Sequence, residues 1–339
     1  MRKIDIFNHI QPDKYFRYVQ GMSAAQEGLG KRTSGNIRLR DLEHRFRIMD
    51  QFGEGYCQVL TVPGPQPAVL AGPEKSPEIA RIANDGLAEL VQRYPERFPA
   101  FAAALPMNNP EAAIEEADRA IRQLGARGVE VFTNIKGKPL DAPEFQPFWD
   151  AMAAHDLPVW MHPSRTANLT DYASEPKSRY EIWFVFGYPY DTSAAMARLV
   201  FSGLFDRHPD LKIITHHMGG MAPYFEGRIG PGWEALGSRT SDEDYSGLLA
   251  SLKRPHAEYF KMFYADTALF GAQAATRCGL EYFGVDRVLF ASDYPFDPEA
   301  GQFIRDTIGI IDRLDISHED RAKIYHGNAE RLLKLKPVG

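Results

Sequence analysis

Eight short apolar, β-branched runs alternate with helical patterns along the chain. This alternation predicts an α/β protein, a single-domain (β/α)8 TIM barrel over residues 1–339 with long loops after strands 1 and 5. A second observation points the same way. His162, His217 and Asp293 each stand at the downstream end of one of these runs, where a parallel barrel collects its catalytic groups. The third is bulk composition: 339 residues, 44% hydrophobic and 25% charged, is ordinary globular make-up, and α/β barrels of this length form one unit.

The elements follow in order. Strand 1 covers residues 3–8 and leads into a long connection, residues 10–40, before a helix at 42–52. Strand 2 (56–62) precedes a helix at 77–94, and strand 3 (98–105) a helix at 110–124. Strand 4 (128–133) and a helix at 143–155 come next. Strand 5 (157–161) is followed by the second long connection, 163–190, and a helix at 191–207. Strand 6 (211–215) precedes a polar surface excursion at 230–255; strand 7 (260–266) a helix at 272–283; strand 8 (287–292) a helix at 302–314. Loops as long as the two after strands 1 and 5 are commonly functional, and both fall on the site-bearing face. The second carries Tyr172, Tyr180, Trp183, Phe184, Phe186, Tyr188 and Tyr190, which suits a pocket wall or an oligomer contact. No internal repeat or low-complexity tract is present.

Several function classes are disfavoured. With a net charge of −6 and no basic block, nucleic acid is not an expected partner. Cys57 and Cys278 make neither a disulfide framework nor a zinc–thiolate site, and both read as small buried residues. No run approaches the roughly 18 apolar residues of a membrane span. The opening MRKIDIFNHI enters a strand without a signal-peptide core, so a cytoplasmic protein away from membranes is expected.

The chemistry sits at the strand ends. Asp293, in LFASDYPFD, could cap a helix, but the following Tyr294-Pro295 disfavours an immediate helix start, which favours a metal-ligating or proton-accepting carboxylate. His162 lies in VWMHPSR. In IITHHMGG, strand alternation is expected to send the rings of His216 and His217 to opposite sides. Gly219 and Gly220 then let the backbone pass close to a substrate. Two imidazoles and a carboxylate converging on one face suit a divalent transition metal. Asp266, ending strand 7, either binds substrate or caps a helix, and Glu130 in strand 4 turns into the barrel. His44, His155, His208, His256, His318 and His326 are assigned no chemistry.

The order of these strand-end groups resembles the amidohydrolase superfamily. Within it, the chain is similar to the branch of aminocarboxymuconate semialdehyde decarboxylase and related aromatic-acid decarboxylases. The likeness covers nearly the whole chain and is densest over residues 189–228, with DYPF at 293–296 and GNAERLL at 327–333 as further signatures. It implies a metal site built from His9, His162 and Asp293, with His217 beside it as ligand or proton shuttle. It also implies that Arg228 grips a substrate carboxylate, reaching in from a neighbouring subunit, so that a homodimer or larger homo-oligomer is expected. Where the family's first strand normally ends in His-x-His, this chain reads Phe7-Asn8-His9, and phenylalanine cannot ligate. One divalent metal is therefore expected, zinc first and manganese second. Arg165, in HPSRT, is a second candidate for a carboxylate, and Trp183 with Phe186 and Tyr188 a candidate wall for a flat conjugated acid.

The leading expectation is a metal-dependent non-oxidative decarboxylase, a carbon–carbon lyase, acting on a small aromatic or unsaturated carboxylic acid. His217 would donate the proton and Asp293 would serve the metal. The alternative is a hydrolase of the same superfamily that cleaves an amide, lactone or C–C bond of a ring-fission product. A metal-free binding protein is a third reading, supported by Phe7 alone. The likeness to the decarboxylase branch and Arg228 favour the first.

Overall fold

The computed structural model describes residues 1–26 and 28–335; the last residues of the expected 1–339 domain, 336–339, lie outside the described range. Its strands are β1 (Lys3–His9), β2 (Tyr56–Thr61), β3 in two pieces (Ala100–Phe101 and Ala103–Ala104), β4 (Val129–Phe132), β5 (Val159–His162), β6 (Ile213–Thr215), β7 (Tyr264–Asp266) and β8 (Val288–Leu289). Each pairs in parallel with the next, from β1·β2 through to β7·β8. The two pieces of β3 pair with different neighbours, so this strand joins what would otherwise be two sheets.

The last strand returns to the first. Ile6 N–H donates to the Phe290 carbonyl (3.0 Å), Asp293 N–H to that of Phe7 (3.2 Å), and His9 N–H to that of Tyr294 (2.9 Å). Asp5 reinforces this seam from outside the barrel, accepting from Ser292 N–H (3.0 Å) and the Tyr56 hydroxyl (2.7 Å).

Alternation divides the apolar residues between two cores. Ile4, Ile6, Phe7, Val59, Ala100, Ala102, Trp160, Ile214, Leu289 and Ala291 fill the barrel. Leu60, Phe101, Val129, Val131, Met161 and Ile213 face outward and pack under the helices. Trp160 spans the interior, its indole N–H donating to the Ile6 carbonyl at 3.0 Å. The small residues around it are required. At Gly128 (φ +151°) an added Cβ would lie 2.2 Å from the Pro158 carbonyl oxygen and 2.5 Å from the Trp160 ring. Glu130 turns inward, as expected; it is buried, and burial holds its carboxyl well above the ordinary range.

The outer helices used below are α1 (Asp13–Val19), α2 (Leu29–Gly35), α3 (Leu42–Asp50), α4 (Ser76–Arg93), α5 (Pro110–Arg122), α6 (Gln146–His155), α7 (Gly187–Phe201), α8 (Glu226–Glu234), α9 (Gln273–Phe283) and α10 (Gln302–Asp312). All the helices expected from the sequence are present. The one expected at 191–207 divides into α7 and a short Leu204–Arg207 helix at Gly203, whose φ is +72°. The connection after β1 holds α1 and α2 rather than being irregular, and α8 covers the start of the 230–255 excursion. Cys57 is buried, whereas Cys278, on α9, is partly exposed, contrary to expectation. Among the described residues no helix is long and apolar enough to cross a membrane.

Candidate active site

The carboxyl ends of the strands bring His9, His162, His216, His217 and Asp293 into one cluster, buried except for the partly exposed His217. Their tautomers follow from their partners. His162, closing β5, has Nδ1 2.7 Å from the Pro163 carbonyl, which can only accept, so Nδ1 carries the proton and the Nε2 lone pair is free. His9, closing β1, has Nδ1 2.8 Å from Thr61 Oγ1. The Thr61 hydroxyl donates to the Asn8 carbonyl (3.3 Å), so its oxygen accepts from His9. That leaves His9 Nε2 unprotonated and only 3.0 Å from Asp293 Oδ1. A lone pair facing a carboxylate at this distance calls for a cation, and the donor set present fits a divalent metal.

His216 and His217 depart from the expected alternation. Their ring centroids are 3.8 Å apart and both face Asp293, with Nε2 atoms 3.6 Å from Oδ1 and 3.8 Å from Oδ2 respectively. The reason is local. β6 ends at Thr215, and His217 (φ +53°) and Met218 (φ +55°) lie in the left-handed region, which swings the second ring back to the side of the first. Asp293 is left-handed too (φ +62°). Such conformations cost of order 1–3 kcal/mol each in non-glycine residues and concentrate at functional sites. Asp266 anchors the turn. Its Oδ2 accepts from His216 Nδ1 (2.5 Å), and its Oδ1 from the backbone N–H groups of His217 and Ala268 (3.0 Å each). It is therefore a positioning residue and not the helix cap or substrate contact expected from the sequence.

Electrostatics tie the cluster together. Burial pushes the Asp293 carboxyl up, but the facing imidazoles of His216, His217 and His9 outweigh it and hold the group well below its usual range. Burial pushes His216 down, yet Asp266 and Asp293 more than offset this and raise it to about 10. His162 and His217 are both lowered, by burial first and by the charge of His216 second. Phe7 points into the same cluster. Its ring stacks on His216 (centroids 3.9 Å apart) and lies 5.4 Å from His9 and 5.8 Å from His162, forming an apolar floor.

Above Asp293 is a narrow cleft of about 20 Å³ walled by Leu29, Arg32, Phe184, Tyr188 and Phe296. The walls come mainly from the long connections after β1 and β5, as expected. Arg32, on α2, has its guanidinium 4.8 Å from the Phe296 ring centroid and 5.1 Å from that of Phe184, and it donates to the Phe296 carbonyl (3.2 Å). It is the one arginine or lysine among the described residues lining the cleft. A larger cavity of about 330 Å³ adjoins it, sharing Leu29, Gly64 and Tyr188 and lined also by Phe132, Arg165 and Trp183. The sequence candidates therefore divide. His9, His162, His217 and Asp293 meet at the cluster. Trp183 and Tyr188 wall the cavities, but Phe186 is exposed and lines neither. Arg165 faces the larger cavity and is paired with Asp191 (3.2 Å). Arg228 is exposed on α8, in a separate groove of about 660 Å³ with Tyr190, Phe225 and Trp233, and does not reach the cleft of its own chain. His216 and Arg32 carry no site role in the sequence reading, and Asp266 carries a different one. The His-His doublet and the aspartate ending the neighbouring strand were signals for His216 and Asp266, whereas nothing in the sequence singles out a loop arginine.

A barrel with imidazoles and a carboxylate converging at its mouth is the architecture of a metal-dependent amidohydrolase. The amidohydrolase family profile matches residues 35–335, and the chain belongs to that family. It is 35% identical to a gamma-resorcylate decarboxylase of Polaromonas over 313 residues, covering 88% of this chain and 89% of that protein. It is 28% identical to the 2-amino-3-carboxymuconate-6-semialdehyde decarboxylase of Dictyostelium discoideum over 267 residues, 79% of this chain and 69% of the relative. Among solved structures, a dihydroxybenzoic acid decarboxylase from Polaromonas with bound manganese and the inhibitor 2-nitroresorcinol superposes with a TM-score of 0.77 at 29% identity, covering 99% of this chain and 98% of the other.

Proposed function

We infer that this chain is a metal-dependent non-oxidative decarboxylase of aromatic carboxylic acids. The observation that carries this reading is the convergence of His9, His162 and Asp293 on one narrow cleft, which is walled by aromatic rings and contains Arg32. His9, His162 and Asp293 would hold one divalent ion. Zinc suits a donor set rich in imidazole, and manganese, bound in the related structure, is the competing choice. When bound, the ion supplies Lewis-acid polarisation of substrate oxygens.

The chain's own residues account for the remaining needs. A flat ring would lie in the adjoining cavity of about 330 Å³, walled by Phe132, Trp183 and Tyr188, with its anionic groups directed through the narrow cleft toward the cluster and Arg32. His217, with Nε2 beside Asp293 and its side chain still 12% exposed, is placed to hand a proton to the ring carbon that bears the carboxylate. The new C–H bond forms, the C–C bond to the carboxylate breaks, its electron pair restores the aromatic ring, and carbon dioxide leaves. His217 is then reprotonated from solvent. The narrow cleft limits the water that could compete. Arg228 would act on the active site of a second copy of the chain, which makes the working form a homo-oligomer.

The test is carbon dioxide release from dihydroxybenzoates by chelator-stripped protein before and after zinc or manganese is added. Metal-dependent release of carbon dioxide with formation of the matching phenol is the expected result. Metal-loaded protein that cleaves amides or lactones but leaves every aromatic acid intact would overturn the reading.

A further inference from the structure

Phe7 faces the cluster and cannot ligate, yet a buried imidazole is stacked directly against it. We propose that His216 is a metal ligand of this chain, taking the place that position 7 cannot fill, so that the ion is held by His9, His162, His216 and Asp293. This rests on the reading of the chain as metal-dependent.

Three independent observations support it. First, one ring nitrogen from each of His9, His162 and His216 lies within 4.8 Å of the others, a spacing that a single cation can bridge. Second, His216 Nε2 is fully buried and has no hydrogen-bond partner among the described residues, while facing Asp293 Oδ1 at 3.6 Å. An orphaned buried nitrogen is costly unless something coordinates it, and an ion bound there would displace the proton that Asp266 and Asp293 otherwise favour on this ring. Third, the other ring nitrogen, Nδ1, is held by Asp266 at 2.5 Å, and Asp266 is itself fixed by two backbone N–H groups. A carboxylate gripping one nitrogen of an imidazole so that the other faces a cation is the arrangement that orients metal-bound histidines.

Phe7 explains why the compensation is needed and why it fits. Its ring stacks face to face on His216, with centroids 3.9 Å apart and an interplanar angle of 23°. Thus the volume a ligand at position 7 would have used is filled by an apolar ring that also braces the His216 imidazole. His217 is the less suitable of the doublet. It is the more exposed of the two, it lines the substrate cleft, and its Nε2 is further from Asp293. It stays on the substrate side as proton donor. Three imidazoles and one carboxylate also move the site's preference toward zinc and away from the oxygen-rich sites that suit manganese.

The test is metal titration of the stripped full-length chain with zinc or cobalt, coupled to X-ray absorption of the loaded protein. The wild type is expected to show three imidazole nitrogens around the ion. His216→Ala should weaken binding by about tenfold or more and reduce the count to two. His217→Ala should keep both the affinity and the count of three while losing turnover. The double variant Phe7→Glu/His216→Ala, which returns a ligand to position 7 where the stacked ring has been removed, should recover binding relative to His216→Ala. That recovery separates ligand loss from misfolding. Unchanged affinity and ligand count in His216→Ala, or loss of one imidazole in His217→Ala instead, would overturn the assignment. A stripped wild type that binds neither ion would instead overturn the metal-dependent reading from which it starts.

Discussion

Arg32 was invisible to sequence reasoning, yet it supplies the fixed positive charge in the metal-facing cleft. Its guanidinium is held between Phe184 and Phe296, which fixes its position at the cleft where an anion would arrive. Arg32→Ala is expected to raise KM for an aromatic acid by about tenfold or more with a smaller effect on kcat, and Arg32→Lys to recover part of the loss. A loss confined to kcat, with KM unchanged, would remove Arg32 from substrate binding. Asp5 allows a test of the seam that closes the barrel. Burial pushes its carboxyl from 3.8 up to about 7, against the opposing hydrogen bonds from Ser292 and Tyr56. The folded chain thus keeps a proton that the unfolded chain releases above 3.8, so Asp5 makes stability fall as pH rises through this window and level off above about 7. The slope is at most about 1.4 kcal/mol per pH unit. Between these limits the slope of stability against pH, from denaturant titrations, should be more positive for Asp5→Asn than for the wild type, and identical slopes would contradict it. Much of the cluster was legible because His9, His162 and Asp293 each end a recognisable apolar run. His216 was not, because the left-handed backbone at His217 breaks the period-two alternation from which ring directions were read.

The elements were more legible than the residues. Apolar runs of barrel strands differ sharply from the helical patterns between them, and helices α3 to α10 fall where periodicity or turn residues suggest, α8 excepted. The short helices α1 and α2 were read as loop because neither is long enough to establish a 3.6-residue pattern. Their placement matters, since α2 delivers Arg32 and Leu29 to the cleft. The β3 strand divides into two pieces, and β4 is preceded by a residue, Gly128, that can only be glycine. A methyl group at Gly128 would collide with the Pro158 carbonyl and the Trp160 ring, and its φ of +151° disfavours any side chain. Gly128→Ala is therefore expected to destabilise the fold by about 2–4 kcal/mol, read as a lower denaturation midpoint. A midpoint within error of the wild type would show that the interior around Trp160 yields more easily than its packing implies.

At the scale of the whole molecule, one chain leaves its assembly legible only in part. Arg228 is exposed in an apolar groove beside Tyr190, Phe225 and Trp233, well suited to an interface but not to the cleft of its own chain. If it serves a neighbouring copy, mixing two inactive variants, Arg228→Ala and His162→Ala, should restore activity. Mixed assemblies then contain sites with an intact metal cluster from one subunit and an intact arginine from the other. No recovery under conditions that exchange subunits would place Arg228 outside catalysis. The barrel, its closure and the convergence of four strand ends bring imidazoles and a carboxylate together at the mouth, where a cation would be held. Metal content and decarboxylation measured on the same samples of wild type, His162→Ala and Asp293→Ala probe that arrangement most directly. The wild type should hold about one zinc or manganese per chain and release carbon dioxide from an aromatic acid, with both properties lost together in the two variants. Variants that keep the metal, or a metal-free wild type that still decarboxylates, would contradict it.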